Sequence, residues 1–227
     1  GRTAWVLSSL TGELTVRKTT RKKGKEDSPW NAIKNWVKSV VILNGVETIQ
    51  DRAFSHCAEM VSAVIPNSVT LIGKQAFEEC TKLASISIPS SVTFIGGGAF
   101  WNCRALQPIT IPSSVETITG NPFPGCPKME SVDISENQNF AFVDDVLFTR
   151  DMTHLIFCRR SKSGFYTVPS SVETICNFAF CNSELVSIVI PRSVKSIGSF
   201  AFYGCHKLGS VTIHGSFNLV DKNPFAS

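Results

Sequence analysis

The sequence predicts an α/β-type solenoid made mostly of strand and coil. Three observations carry that expectation. Phe54, Phe77, Phe100 and Phe123 lie 23 residues apart, and Phe180, Phe202 and Phe225 resume the series at steps of 22 and 23. The same set of apolar positions surrounds these phenylalanines. Each unit closes on period-2 alternation rich in β-branched residues, the mark of a short strand. A fixed period in the twenties means stacked units, none of which can bury its apolar face alone.

Each position in the unit has a physical reading. One unit runs Pro66, Val69, Ile72-Gly73, Ala76-Phe77, Cys80, Leu83, Ile86 and Ile88. The same places return as Pro89, Val92, Ile95-Gly96, Ala99-Phe100, Cys103, Leu106, Ile109 and Ile111, and again from Pro191 to Ile213. Leu-x-x-Ile-x-Ile reads as a strand. Val-x-x-Ile-Gly reads as a second extended piece closed by a turn-permitting glycine. Ala-Phe-x-x-Cys has helical spacing but is too short for a stable helix, so it reads as one helical or 3₁₀ turn.

The regular coils span residues 38–227, preceded by an N-terminal cap at 1–37 within the same domain. In the cap, Trp5-Val-Leu and Leu14-Thr-Val flank Ser-Ser-Leu-Thr-Gly-Glu, a predicted hairpin. Ser28 and Pro29 then open an amphipathic segment through Trp36-Val37. Between Phe123 and Phe180 one unit is 34 residues long, and its irregular part covers about 136–168. Phe140 to Phe148 and His154 to Phe157 are two apolar runs around the polar turn Thr149 to Thr153, so this unit is predicted to contain a β-hairpin. Units four and seven replace Ala-Phe with Pro122-Phe123 and Pro224-Phe225, and proline is expected to distort the turn there. The chain ends inside a seventh unit, so the last coil is expected to be the least stable.

The units resemble the BspA-like leucine-rich repeats, also called the Treponema pallidum type, whose pattern is S-V-x-x-I-G-x-x-A-F-x-x-C-x-x-L-x-x-I-x-I-P. The resemblance covers about residues 38–135 and 169–227. It implies a right-handed leucine-rich-repeat solenoid of about six to seven coils with a parallel sheet along its concave side. It also implies a non-catalytic binding role, since related proteins are surface or secreted adhesion and interaction proteins. The alternative expectation is a cytoplasmic scaffold for other proteins.

The search for chemistry points away from an enzyme. His56 adjoins Cys57 and His206 adjoins Cys205, but sequence neighbours point apart. No phosphate loop, nucleophile elbow or zinc pattern is present, so no cofactor or metal is expected. Asp144-Asp145 lies in the long unit's hairpin and reads as a turn or an exposed edge rather than a catalytic acid pair. Cys57, Cys80, Cys103, Cys126 and Cys205 share one repeat position and read as buried free thiols, about 5 Å apart along the stack. For Cys158, Cys176 and Cys181 a disulfide stays open. Net charge is +4, and a basic run from Arg17 to Lys25 reads as a solvated loop, without the aromatic interleaving of a nucleic-acid site. No apolar run is long enough to span a membrane, and a monomer is expected. Gly1-Arg-Thr is not a signal peptide, although a processed chain would have lost one.

Function is therefore expected on the surface, with a protein or glycan as ligand. The candidate contacts are Ser85, Ser87, Thr110, Ser131, Asp133, Ser187 and Thr212, which alternate outward from the strand ladder, and the aromatic pair Trp101 and Tyr203.

Overall fold

The structure is a computed structural model that describes residues 2–8, 10–19, 31–129, 131–216, 218–219 and 223–225. Most of the basic run and the predicted Ser28-Pro29 start lie outside the described residues. Strands β1 (Arg2–Leu7) and β2 (Glu13–Thr19) form the predicted antiparallel hairpin, followed by a 3₁₀ helix (Asn31–Trp36) and β3 (Ser39–Ile42). The next coils give β4 (Thr48–Ile49), β5 (Ser62–Val64), β6 (Leu71–Ile72), β7 (Ser85–Ile86), β8 (Phe94–Ile95), β9 (Ile109–Thr110), β10 (Thr117–Ile118) and β11 (Val132–Asp133). The long unit adds β12 (Phe140–Val143), β13 (Val146–Thr149), β14 (His154–Cys158) and β15 (Ser163–Thr167). The last coils give β16 (Thr174–Ile175), β17 (Glu184–Ile190), β18 (Ser196–Ile197), β19 (Ser210–Ile213) and β20 (Asn218–Leu219).

Two parallel walls result. The concave wall stacks β2-β3-β5-β7, then β9-β11, then β15-β17-β19; the second stacks β4-β6-β8-β10, then β14-β16-β18-β20. The solenoid makes about eight turns, because β2 and β15 add rungs of their own to the concave wall.

The phenylalanines stack along the interior. Phe54, Phe77, Phe100 and Phe123 lie 5.3, 5.5 and 5.6 Å apart in sequence, and Phe180, Phe202 and Phe225 lie 5.1 and 4.9 Å apart. The long unit splits this ladder. Phe157 meets Phe123 edge-on at 6.2 Å, and Tyr166 meets Phe180 at 6.0 Å. Buried apolar residues accordingly form two clusters, one reaching from Leu14 into the long unit and one from Val146 to Phe202. All eight cysteines are free. The Sγ of Cys80, Cys103 and Cys126 donates to the carbonyl of Phe54, Phe77 and Phe100 at 3.2, 3.1 and 2.9 Å, so the thiol column also ties each coil to its predecessor.

Three local expectations need correction or refinement. First, the Ala-Phe segment is a run of turns and not a helical or 3₁₀ turn. Its residues two before and two after the core Phe adopt left-handed φ: Gln75 and Glu79 at 55° and 58°, Phe178 and Asn182 at 59°. This aims alternate N–H groups at the next coil, as in Phe77 to Ala99 O and Glu79 to Trp101 O, both 2.7 Å. Second, Pro-Phe changes the turn, since Pro122 lacks the N–H that Ala99 gives to Gly96 O and Phe123 N–H goes to Asn121 Oδ1 at 2.8 Å, but the change does not reach the ladder between coils. The residue before the core Phe contributes only its carbonyl to this ladder. Pro122 accepts from Phe100 N–H and Pro224 from Phe202 N–H, both at 2.8 Å, just as Ala99 accepts from Phe77.

Third, the glycine after each Ile serves close packing and not turn formation. A Cβ on Gly73, Gly96 or Gly198 would sit 2.5, 2.4 or 2.4 Å from a backbone nitrogen of the preceding coil. Gly96→Ala is therefore expected to destabilise by roughly 1–3 kcal/mol, the usual cost of overpacking. Urea unfolding checks this, and an unchanged midpoint would show that the coils can separate at no cost.

The long unit is a three-stranded meander. The predicted hairpin around Thr149 to Thr153 is β13-β14, and the run Phe140 to Phe148 itself folds back as β12-β13. Asp144 and Asp145 are its two turn residues, with φ of 50° and 62°, as a type I′ turn requires. Their carboxylates pair with Lys162 at 2.9 Å and Arg159 at 3.0 Å, which confirms a turn role.

Candidate functional site

The outward positions of the concave strands fall into two rows. Ser39, Ser62 and Ser85 align across β3, β5 and β7. Thr110 aligns with Asp133, and Phe165, Ser187 and Ser210 align across β15, β17 and β19. Thr167, Val189 and Thr212 form the second row there. Between these outward residues, Ile86, Ile109, Ile188 and similar side chains turn into the core.

Pro108 interrupts this wall. It stands where β5 and β7 carry Ser62 and Ser85, and proline brings no N–H to the ladder. β7 and β9 therefore belong to separate sheets, although Gln107 N–H still reaches Ala84 O at 3.0 Å. A cleft of about 460 Å³ opens at the break, lined by Ser62, Ser85, Ser87, Pro108 and Thr110. Its volume lies within the range of small-ligand sites, about 300–1,000 Å³.

The structure thus brings three of the expected contacts, Ser85, Ser87 and Thr110, into one exposed cleft. Asp133 lies beside them, its Oδ2 accepting from Thr110 Oγ1 at 3.3 Å, and Ser131 is exposed on the same wall. Ser187 and Thr212 sit in a separate sheet, beyond the gap between β11 and β15. Trp101 and Tyr203 lie on the turn side instead. Both are half-buried, with Trp101 packed 4.7 Å from Phe178 and Tyr203 edge-on at 6.1 Å to Phe200.

Sequence reasoning missed one aromatic on the concave wall. Phe165 is 86 % exposed, in a row filled elsewhere by Ser, by Pro108 and, on β2, by Glu13. Counting back four residues from Pro169 finds it, as the same count from Pro66, Pro89 and Pro191 finds Ser62, Ser85 and Ser187.

The Cys/His neighbours do not assemble a nucleophile. His56 is exposed while Cys57 is fully buried, and burial pushes the Cys57 thiol up to about 12. Such a thiol is not ionised at neutral pH. Among the described residues no group of three or more His, Cys, Asp or Glu side chains could hold a metal ion, and no helix is long and apolar enough to cross a membrane.

Comparison with known proteins agrees with this architecture. A leucine-rich repeat protein from Eubacterium ventriosum superposes with a TM-score of 0.68 at 23% identity, covering 96% of this chain and 74% of that one. The pneumococcal vaccine antigen PcpA gives 0.62 at 29% identity, over 78% of this chain and 49% of its own length. A leucine rich cell surface protein from Faecalibacterium prausnitzii gives 0.62 at 22% identity, over 92% and 74%. No curated protein sequence matches. The profile of the BspA type leucine rich repeat region matches six times, over residues 34–153 and 152–227. With its Phe and Cys columns stacked coil on coil, the chain belongs to the BspA-type leucine-rich-repeat family, a protein-interaction fold that is generally non-catalytic.

Proposed function

We propose that this chain is a non-catalytic binding module, displayed at a cell surface or secreted, that adheres to host or matrix macromolecules through its concave wall. The observation that carries the reading is the open cleft at the Pro108 break, walled by small neutral side chains that let a protein backbone or a glycan approach closely. The likeness to a cell surface protein and a vaccine antigen supports the location. The cap and coils act as one domain, as a monomer, without cofactor or nucleic acid.

The test is surface plasmon resonance against a panel of extracellular-matrix proteins and glycans. Ser87→Arg and Thr110→Arg place bulk and charge in the cleft and are expected to weaken binding about tenfold or more, as loss of a central contact does. Full binding by both folded variants would sink the concave-wall reading. A parallel variant with Lys22, Lys23 and Lys25 replaced is expected to bind normally.

The free thiols favour a second reading, an intracellular scaffold, since reducing compartments keep cysteines unpaired. Biotinylation of intact cells separates the two: labelling of the native protein supports the surface.

A further inference from the structure

We propose that the unpaired edge of β15 is a docking strand for an extended segment of a partner polypeptide, anchored by Phe165. The proposal rests on the reading of the concave wall as the binding surface, and names the partner's chemistry.

The edge is open. Among the described residues β15 pairs only with β17, and β11 only with β9, so no described strand joins β11 to β15. Val168 N–H is spent on Val189 O at 3.0 Å, which turns the main-chain groups of Phe165 and Thr167, at alternate positions, toward the unpaired side. A Cβ placed on Gly164 would meet nothing within 4 Å. Exposed edges are normally blunted by lysine, proline or a bulge in the edge strand itself. Ser163-Gly-Phe-Tyr-Thr167 has no charge and no proline. The register shift beside Gly164 adds its extra residue, Val186, to β17, and Gly164 takes a left-handed φ of 76°, so the edge offered to a partner runs from Phe165 to Thr167.

The anchor is present for no folding reason. Tyr166 and Val168 supply the core contacts of this strand at 7 % and 1 % exposure, while Phe165 projects into solvent at 86 %. Ser163 and Thr167 flank it on its own strand, and Ser187 lies beside it on β17. These small neutral groups leave room for a bulky apolar side chain against the ring. A polypeptide strand carries N–H and C=O groups at the two-residue repeat the edge presents, which makes it the matching occupant.

The experiment pans the folded protein against a display library of roughly seven-residue linear peptides, a typical strand length, and measures the selected peptide by calorimetry. Phe165→Ala, whose fold is checked by its thermal melt, is expected to weaken binding about tenfold. N-methylation of alternate peptide residues is expected to abolish binding in one register and spare it in the other. No selected sequence, no loss on Phe165→Ala, or equal effects of the two methylation registers would overturn the proposal. A peptide blocked by Ser87→Arg yet indifferent to Phe165→Ala would overturn it while leaving the concave-wall reading intact. A dimer abolished by Phe165→Ala would place a second copy on the edge and overturn it as well.

Discussion

Phe100→Ala is expected to destabilise the protein by about 3–5 kcal/mol, a cost that includes two lost ring contacts of about 0.5–1.5 kcal/mol each. Phe100 is fully buried and lies between Phe77 and Phe123 with interplanar angles of 6° and 14°. Removing it opens a cavity in the middle of a column whose rungs are tied to their neighbours by main-chain bonds, so the coils cannot slide together to fill it. Small domains have only about 5–15 kcal/mol in total, so this single truncation removes a large share. Phe225 provides the internal control. It occupies the same repeat position but is 42 % exposed at the end of the column. Phe225→Ala is expected to cost less than half as much. Equilibrium urea unfolding measures both; equal losses would mean that the ladder is not the main store of stability.

Alkali is expected to unfold this protein early. Desolvation by burial pushes the thiols of Cys57, Cys126, Cys176 and Cys181 up from 9.0 to about 12. It also raises those of Cys80, Cys103, Cys158 and Cys205. The folded chain therefore keeps protons that the unfolded chain releases. This stabilisation is fully present below the unfolded value and is lost as pH rises from 9.0 toward 12. Each such thiol contributes a slope of about 1.4 kcal/mol per pH unit in that window. Four of them give on the order of 5 kcal/mol per unit, enough to exhaust an ordinary stability within two or three units. Urea midpoints under a strong reductant, stepped from pH 8 to pH 10.5, are expected to fall steeply above pH 9. A flat profile would contradict the burial of the thiol column. Cys126→Ala is expected to reduce the slope by about one proton.

The core of this fold is written plainly in the sequence because the period is physical. A side chain that must touch its counterpart in the next coil repeats at the coil length, so the Phe, Cys and Ile columns could be assigned by counting. The turn at Thr149 to Thr153 was equally legible, since a polar stretch between two apolar runs leaves little else, whereas Asp144-Asp145 read as a turn or an exposed edge. What the sequence hid has no residue-type mark. The left-handed positions hold Gly98, Asn102, Asn182 and Gly204 in some coils but Arg52, Gln75, Glu79 and Phe178 in others, residues that carry no turn signal. The glycine beside Ile197 looks like a turn residue, yet its duty is set by the preceding coil, where Asn177 N would lie 2.4 Å from a Cβ on Gly198. The break at Pro108 depends on which way its missing N–H would have faced, a property of the ladder rather than of the residue. Phe165 escaped because the long unit hides its register, and it changes the character of a wall that otherwise reads as bare serine and threonine.

Amide hydrogen exchange on the protein, alone and saturated with a partner found on the matrix panel or with the selected peptide, locates the surface that a ligand covers. If the concave wall is the binding surface, protection will concentrate in residues 62–65, 85–88 and 108–111 for a cleft ligand, and in residues 163–167 for a docked strand. Protection confined to the opposite turns, around Trp101 and Tyr203, with the concave strands unchanged, would contradict it.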